Sequence, residues 1–146
     1  MIVRDIMAKT PICLEPQTSL MDAARYMRDR DIGCILVGDK DKLVGMITDR
    51  DITTRAVAKG QDPKYATVKA VMTRGVVYCS EMQKLREAAK IMQSKRVRRL
   101  AVLDAKKRLV GVVSVSDIAR AAKGELAGEV MTEVCRPARK TRRAAE

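Results

Sequence analysis

Residues 45–52 read Gly-Met-Ile-Thr-Asp-Arg-Asp-Ile, and residues 111–118 read Gly-Val-Val-Ser-Val-Ser-Asp-Ile. In each, a glycine precedes two apolar residues, a hydroxyl residue, two variable positions and Asp-Ile. An apolar run into Thr48 or Ser114, with an acid three positions on, marks a buried strand entering a helix N-terminus. There the hydroxyl and the acid fit a capping box. The side chain of Thr48 or Ser114 accepts from the backbone N–H three residues on, and Asp51 or Asp117 accepts from the cap's own N–H. That role alone accounts for both residues. The same junction also suits a ligand, with N–H groups for an anion and a carboxylate for a sugar.

Working outward, the rest of the chain is said twice as well. Leu20, Ala23, Ala24 and Met27 fall at helical spacing, and Leu85, Ala88, Ala89 and Met92 repeat the stripe 65 residues on. Ile32 to Val37 is a continuous apolar run suited to a buried strand, and Val97 to Val102 matches it at the same offset. Leu43 to Ile47 recurs as Leu109 to Val113 at an offset of 66, so the second hairpin turn is one residue longer. Val3 to Met7 matches Val68 to Met72 as a short helical turn, and Pro11 to Leu14 and Val76 to Cys79 read as brief strands. Thr18 or Ser19 caps the first long helix, with Ser19 and Asp22 at capping-box spacing, and the helix starting at Thr48 is expected to reach Lys59 and stop at Gly60. The order helix, β, α, β, β, α occurs twice, so the chain is a tandem duplication. The repeats span 3–60 and 68–123, joined by a linker over 61–67. The class is α/β (α+β): each repeat is a short three-stranded sheet packed on two helices, the pair arranged with pseudo-twofold symmetry because neither half buries much apolar area alone. Residues 124–146 form an extension. Within it Glu129-Val-Met-Thr132 echoes Val71-Met-Thr73, and from Arg136 onward the absence of an apolar period reads as a disordered basic tail.

Composition narrows the function. The 146 residues include three Tyr, no Phe and no Trp, so the core must be aliphatic. No apolar run approaches the ~20 residues of a membrane span, and the N-terminus lacks the pattern of a signal peptide, so a cytoplasmic chain is expected. Four cysteines without Cys-x-x-Cys spacing, and no histidine, fit none of the usual zinc patterns. Cys13, Cys34 and Cys79 sit in apolar runs and read as small buried residues. Asp39 and Asp41 alternate with Lys40 and Lys42, a turn rather than a metal loop. No nucleophile has an adjacent base, so the reading is not an enzyme. The net charge of +12 favours anionic partners: nucleotides, nucleic acid or an acidic protein face.

The duplicated unit resembles the CBS-domain pair, or Bateman module. The residues carrying the likeness are Asp5-Ile-Met7 and Ala70-Val-Met-Thr73, the two Leu-x-x-Ala-Ala-x-x-Met stripes, Val97-Arg-Arg-Leu-Ala-Val102 and the two Gly-x-x-Thr/Ser-x-x-Asp phrases. The resemblance covers residues 3–123 and implies a stand-alone regulatory sensor of adenosine-containing ligands, bound in clefts between the repeats of a homodimeric disk. On that pattern Asp51 and Asp117 hold ribose, and Thr48 and Ser114 contact phosphate or ribose. Ile12 and Val77 line an adenine slot, or are plain core. Arg98 and Arg99 face phosphate, or lie at a solvated strand end, where the first repeat has Gly33 and Cys34. Arg50 supplies a cation inside the first phrase, where the second has Ser116. The implied ligand is AMP, ADP or ATP, with S-adenosylmethionine or NAD as alternatives, and no cofactor is required. A protein effector of unknown identity would receive the signal, without a membrane. The competing readings are nucleic-acid binding through the basic surface and tail, and a purely structural adaptor.

Overall fold

The computed structural model describes residues 1–9, 11–40, 42–121 and 124–137. Its elements in order are α1 (Val3–Ile6), β1 (Ala8–Lys9), β2 (Cys13–Leu14), α2 (Leu20–Arg30), β3 (Cys34–Asp39), β4 (Lys42–Thr48), α3 (Asp49–Arg55), α4 (Val68–Val71), β5 (Tyr78–Ser80), α5 (Leu85–Lys95), β6 (Arg99–Leu103), β7 (Leu109–Ser114), α6 (Val115–Arg120) and α7 (Gly124–Val134). The duplicated α/β order read from the sequence is present. None of the described helices is long and apolar enough to cross a membrane.

Two compact units form. One holds residues 9–76 with 105–110, and the other holds 1–8, 77–104 and the described residues from 111. The short opening helices are therefore exchanged relative to the sequence repeats. In the first unit α4 is stitched beside the start of α2, with the Val68 N–H donating to the Thr18 carbonyl at 2.8 Å and the Leu20 N–H to the Ala66 carbonyl at 2.9 Å. In the second, α1 sits beside the start of α5, with the Val3 N–H donating to the Gln83 carbonyl at 2.8 Å. Neither four-residue helix could persist alone, since its few hydrogen bonds do not offset nucleation. Val3, Val68 and Val71, all at most 2 % exposed, hold them to their units by burial.

The first unit has a three-stranded sheet in the order β2-β3-β4, parallel between β2 and β3 and antiparallel between β3 and β4. Leu20, Ala23 and Met27 of α2 close its core against Ile35, Val37 and Ile47. The second unit has β1-β7-β6-β5, with β5 and β6 parallel; the two-residue β1 is added to the three strands anticipated. Met92, Leu100, Val102, Val113 and Ile118 are among its fully buried aliphatic side chains.

Four differences from the sequence reading have local causes. Ala24 is exposed, whereas its counterpart Ala89 is buried on α5, the helix that α7 packs against. The helix after Thr48 breaks at Ala56 and continues only as a 3-10 turn over Val57–Lys59, ended by Gly60 at φ +70°. Cys13 is exposed, because side chains alternate along β2 and Leu14 takes the inward place. The extension is not featureless: Leu126, Ala127 and Val130 recur at helical spacing and bury one face of α7 against α5 and α6. The echo at residues 129–132 lies within this helix. The disordered-tail reading falls, from residue 138, outside the described residues.

None of the four cysteines is in a disulfide. Burial pushes the Cys79 thiol up to about 11. Because the folded state holds this proton more tightly, Cys79 favours folding fully below the ordinary thiol range. That contribution is lost as pH rises from about 8.5 through 11, by at most about 2–3 kcal/mol. At pH 8, Ellman's reagent should therefore label exposed Cys135 rapidly and Cys79 only on unfolding. Equal labelling rates would contradict the burial.

Candidate functional site

Both phrases form the capping boxes their spacing predicts. In the first, Thr48 Oγ1 accepts from the Asp51 N–H at 3.0 Å, and Asp51 Oδ2 accepts from the Thr48 N–H at 3.0 Å. In the second, Ser114 Oγ accepts from the Asp117 N–H at 3.2 Å, and Asp117 Oδ2 accepts from the Ser114 N–H at 2.8 Å and from its hydroxyl at 2.9 Å. Each carboxylate also meets an arginine one turn on: Arg55 lies 3.7 Å from Asp51 Oδ1, and Arg120 is paired with Asp117 Oδ1. These pairs at i,i+4 and i,i+3 were legible in the spacing but not singled out. One carboxylate oxygen in each box is committed to the cap. The other faces a guanidinium: that of Arg120 is largely exposed, a partner that a sugar hydroxyl can displace, whereas that of Arg55 is also held by the Val71 carbonyl at 3.0 Å and the Thr73 hydroxyl at 3.1 Å.

The chain enters each helix under the same restraint. The Asp49 N–H donates to the Gly33 carbonyl at 3.0 Å, and the Val115 N–H donates to the Arg98 carbonyl at 2.9 Å. The loop before β3 or β6 is thereby pinned over the helix start, and from here the two repeats diverge. In the second, Arg98, Arg99, Ser114, Val115, Ser116 and Ala119 line a cavity of about 370 Å³ with Ala127, Gly128 and Met131 of α7. Among the described residues neither guanidinium of Arg98 and Arg99 has an ion-pair partner, and both residues are exposed. In the first repeat, Gly33 and Cys34 replace the arginines and Asp49 replaces Val115. A Cβ on Gly33 would lie 3.0 Å from Asp49 Oδ2, and Asp49 Oδ1 accepts the Arg50 N–H at 2.9 Å. A carboxylate thus occupies the first helix start, where the second presents two unpaired cations.

The predicted residues therefore separate. Arg98, Arg99 and Ser114 come together on one cavity, with Asp117 joined to it through the cap. Thr48 and Asp51 share their own box, and Arg50 lines a shallow opening of about 350 Å³ with Asp49, Thr53 and Thr54. Ile12 packs, partly buried, against the core of the first unit. Val77 is half-buried beside β6, its carbonyl accepting the Ala101 N–H at 3.1 Å. Asp49 and the α7 residues were missed. The acid at the first helical position was visible in the sequence; the α7 wall was not, because contact across about 30 residues leaves no spacing signal.

A small-sheet α/β unit is thus present twice, with a cation-lined cavity at the strand–helix junction of the second. The chain belongs to the CBS domain family, whose model matches residues 3–57 and 68–124. It is similar to Hypoxic response protein 1 of Mycobacterium tuberculosis, at 36% identity over 135 residues covering 92% of this chain and 94% of that protein. A crystal structure of Hypoxic Response Protein I with two coordinated zinc ions superposes with a TM-score of 0.73 at 39% identity, over 82% of this chain and 98% of that one. Here the described residues contain no group of three or more His, Cys, Asp or Glu able to hold a metal. The CBS domain pair of MJ0100 in complex with 5-methylthioadenosine and S-adenosyl-L-methionine matches at TM-score 0.74 and 32% identity, over 86% and 98% of the two chains. CBSX2 in complex with AMP matches at TM-score 0.69 and 26% identity, over 85% and 97%. Two proteins of this fold are thus bound to adenosine compounds, CBSX2 to one with phosphate and MJ0100 to two without.

Proposed function

We propose that this chain is a non-catalytic regulatory module that senses an adenine nucleotide, AMP, ADP or ATP, through its second repeat. One observation carries the reading: two guanidiniums without an ion-pair partner among the described residues, Arg98 and Arg99, lie with Ser114 on one cavity. Guanidinium forks match phosphate oxygens in geometry and charge. Asp117 is available to the ribose through the oxygen now facing Arg120. In the first repeat the Asp49 carboxylate opposes a phosphate, so that half is assigned a weaker or phosphate-free ligand, such as S-adenosylmethionine. The module acts as a homodimer in the cytoplasm, and a bound ligand biases whichever arrangement of the chain holds it more tightly.

Calorimetry with AMP, ADP, ATP, S-adenosylmethionine and NAD tests this, and saturable micromolar binding of at least one adenine nucleotide is expected. Asp117→Ala is a poor probe, because it removes the cap as well as the sugar ligand. Asp117→Asn keeps an acceptor for the Ser114 N–H but loses the charge. It should melt near the parent and bind about tenfold more weakly, the worth of one charge-assisted hydrogen bond. No saturable binding by any compound in the panel ends the sensor reading. Duplex affinity that falls steeply with salt and disappears on deleting residues 136–146 would favour the nucleic-acid reading instead.

A further inference from the structure

We infer that α7, which follows the second matched domain, is one wall of the ligand site, and that Gly128 is a specificity-determining residue. This rests on reading the second repeat as the adenosine-ligand site. Glycine inside a helix lowers stability relative to almost any other residue, so its presence asks for a local reason. Backbone geometry supplies none, because Gly128 is not among the positive-φ glycines, which are Gly60 and Gly75. Crowding supplies none either: a Cβ built on Gly128 meets nothing within 4 Å. What Gly128 does face is the cavity it lines with Arg98, Arg99 and Ser114. A side chain at 128 would stand in the space a ligand needs.

The wall is held in place. Leu126, Ala127 and Val130 are buried, and α7 packs on both α5 and α6. The Arg96 side chain, three residues before Arg99, donates to the Glu133 carbonyl at 3.2 Å and to the Arg136 carbonyl. The entry to β6, which carries the cations, is thus tied to the end of the helix that closes the cavity. Arg98 and Arg99 take the anion, while Ala127, Gly128 and Met131 meet the uncharged body of the ligand. At about 370 Å³ the space lies near the small end of the range for small-molecule sites, about 300–1,000 Å³. It suits a mononucleotide better than a dinucleotide.

The test is AMP affinity and melting temperature in the full chain carrying G128A, G128L or, as a control on the same helix outside the cavity lining, T132L. G128L should melt at or above the parent and bind AMP at least tenfold more weakly; G128A should be intermediate and T132L within twofold. G128L binding within twofold of the parent overturns the inference, as does G128L melting well below the parent, since open space at 128 is the premise. A parent chain that binds no adenosine compound sinks this inference together with the sensor reading. A parent that binds while G128L binds equally well sinks the α7 wall alone.

Discussion

An Arg98→Ala/Arg99→Ala chain is expected to lose about 100-fold in affinity for AMP while melting within about 2 °C of the parent. Hydrogen bonds to charged groups contribute about 1.5–3 kcal/mol each. Two such contacts at an exposed site, taken at the low end for solvent screening, give about 3 kcal/mol. The structural cost should be small. Both residues are exposed, neither guanidinium has an ion-pair partner among the described residues, and the helix-start bond from Val115 uses the Arg98 main-chain carbonyl, which alanine retains. Isothermal titration with a parallel thermal melt separates the two effects. A phosphate-free adenosine compound should lose much less. If AMP and adenosine weakened equally, the arginines would not be reading phosphate. An unchanged AMP affinity would remove the second repeat as the nucleotide site.

Gly111→Val should destabilise the fold more than any change at the ligand cavity. A Cβ at 111 would lie 2.8 Å from the Ala8 carbonyl oxygen and 2.6 Å from the Met7 sulfur. The methionine is flexible, but the carbonyl belongs to β1, which pairs with β7 at that edge of the sheet. Either β1 leaves or β7 shifts. Overpacking of about 1–3 kcal/mol then adds to the loss of ladder hydrogen bonds worth about 1 kcal/mol each. A fall in melting temperature of roughly 10 °C or more follows for a chain of this size. Gly45 stands in the matching place: its Cβ would lie 2.9 Å from the Thr73 carbonyl oxygen and 2.7 Å from the Met72 sulfur. There Met46 and Thr73 exchange backbone hydrogen bonds of 2.9 and 2.8 Å. Gly124→Ala, with nothing within 4 Å of its Cβ, is the control and should be neutral or stabilising. A Gly111→Val protein melting within 2 °C of the parent would contradict the close approach.

The repeated phrase thus contains residues of two kinds. Its glycine is required by a neighbouring backbone, and its hydroxyl and acid cap a helix; each of these is structural before any ligand arrives. Helix starts, apolar stripes and the duplicated order are local, set by contacts within four residues or by alternation along a strand. They were therefore legible in the sequence, and with them the family. The inequality of the repeats was legible too, in Arg98-Arg99 against Gly33-Cys34. Other features depend on contacts between residues far apart along the chain. They include the exchange of α1 and α4 between units, the carbonyl pressed against each phrase glycine, and α7 as the far side of the Arg98–Arg99 cavity. No periodicity records such contacts, because packing chooses partners by shape and burial rather than by spacing, and only the tertiary structure decided them.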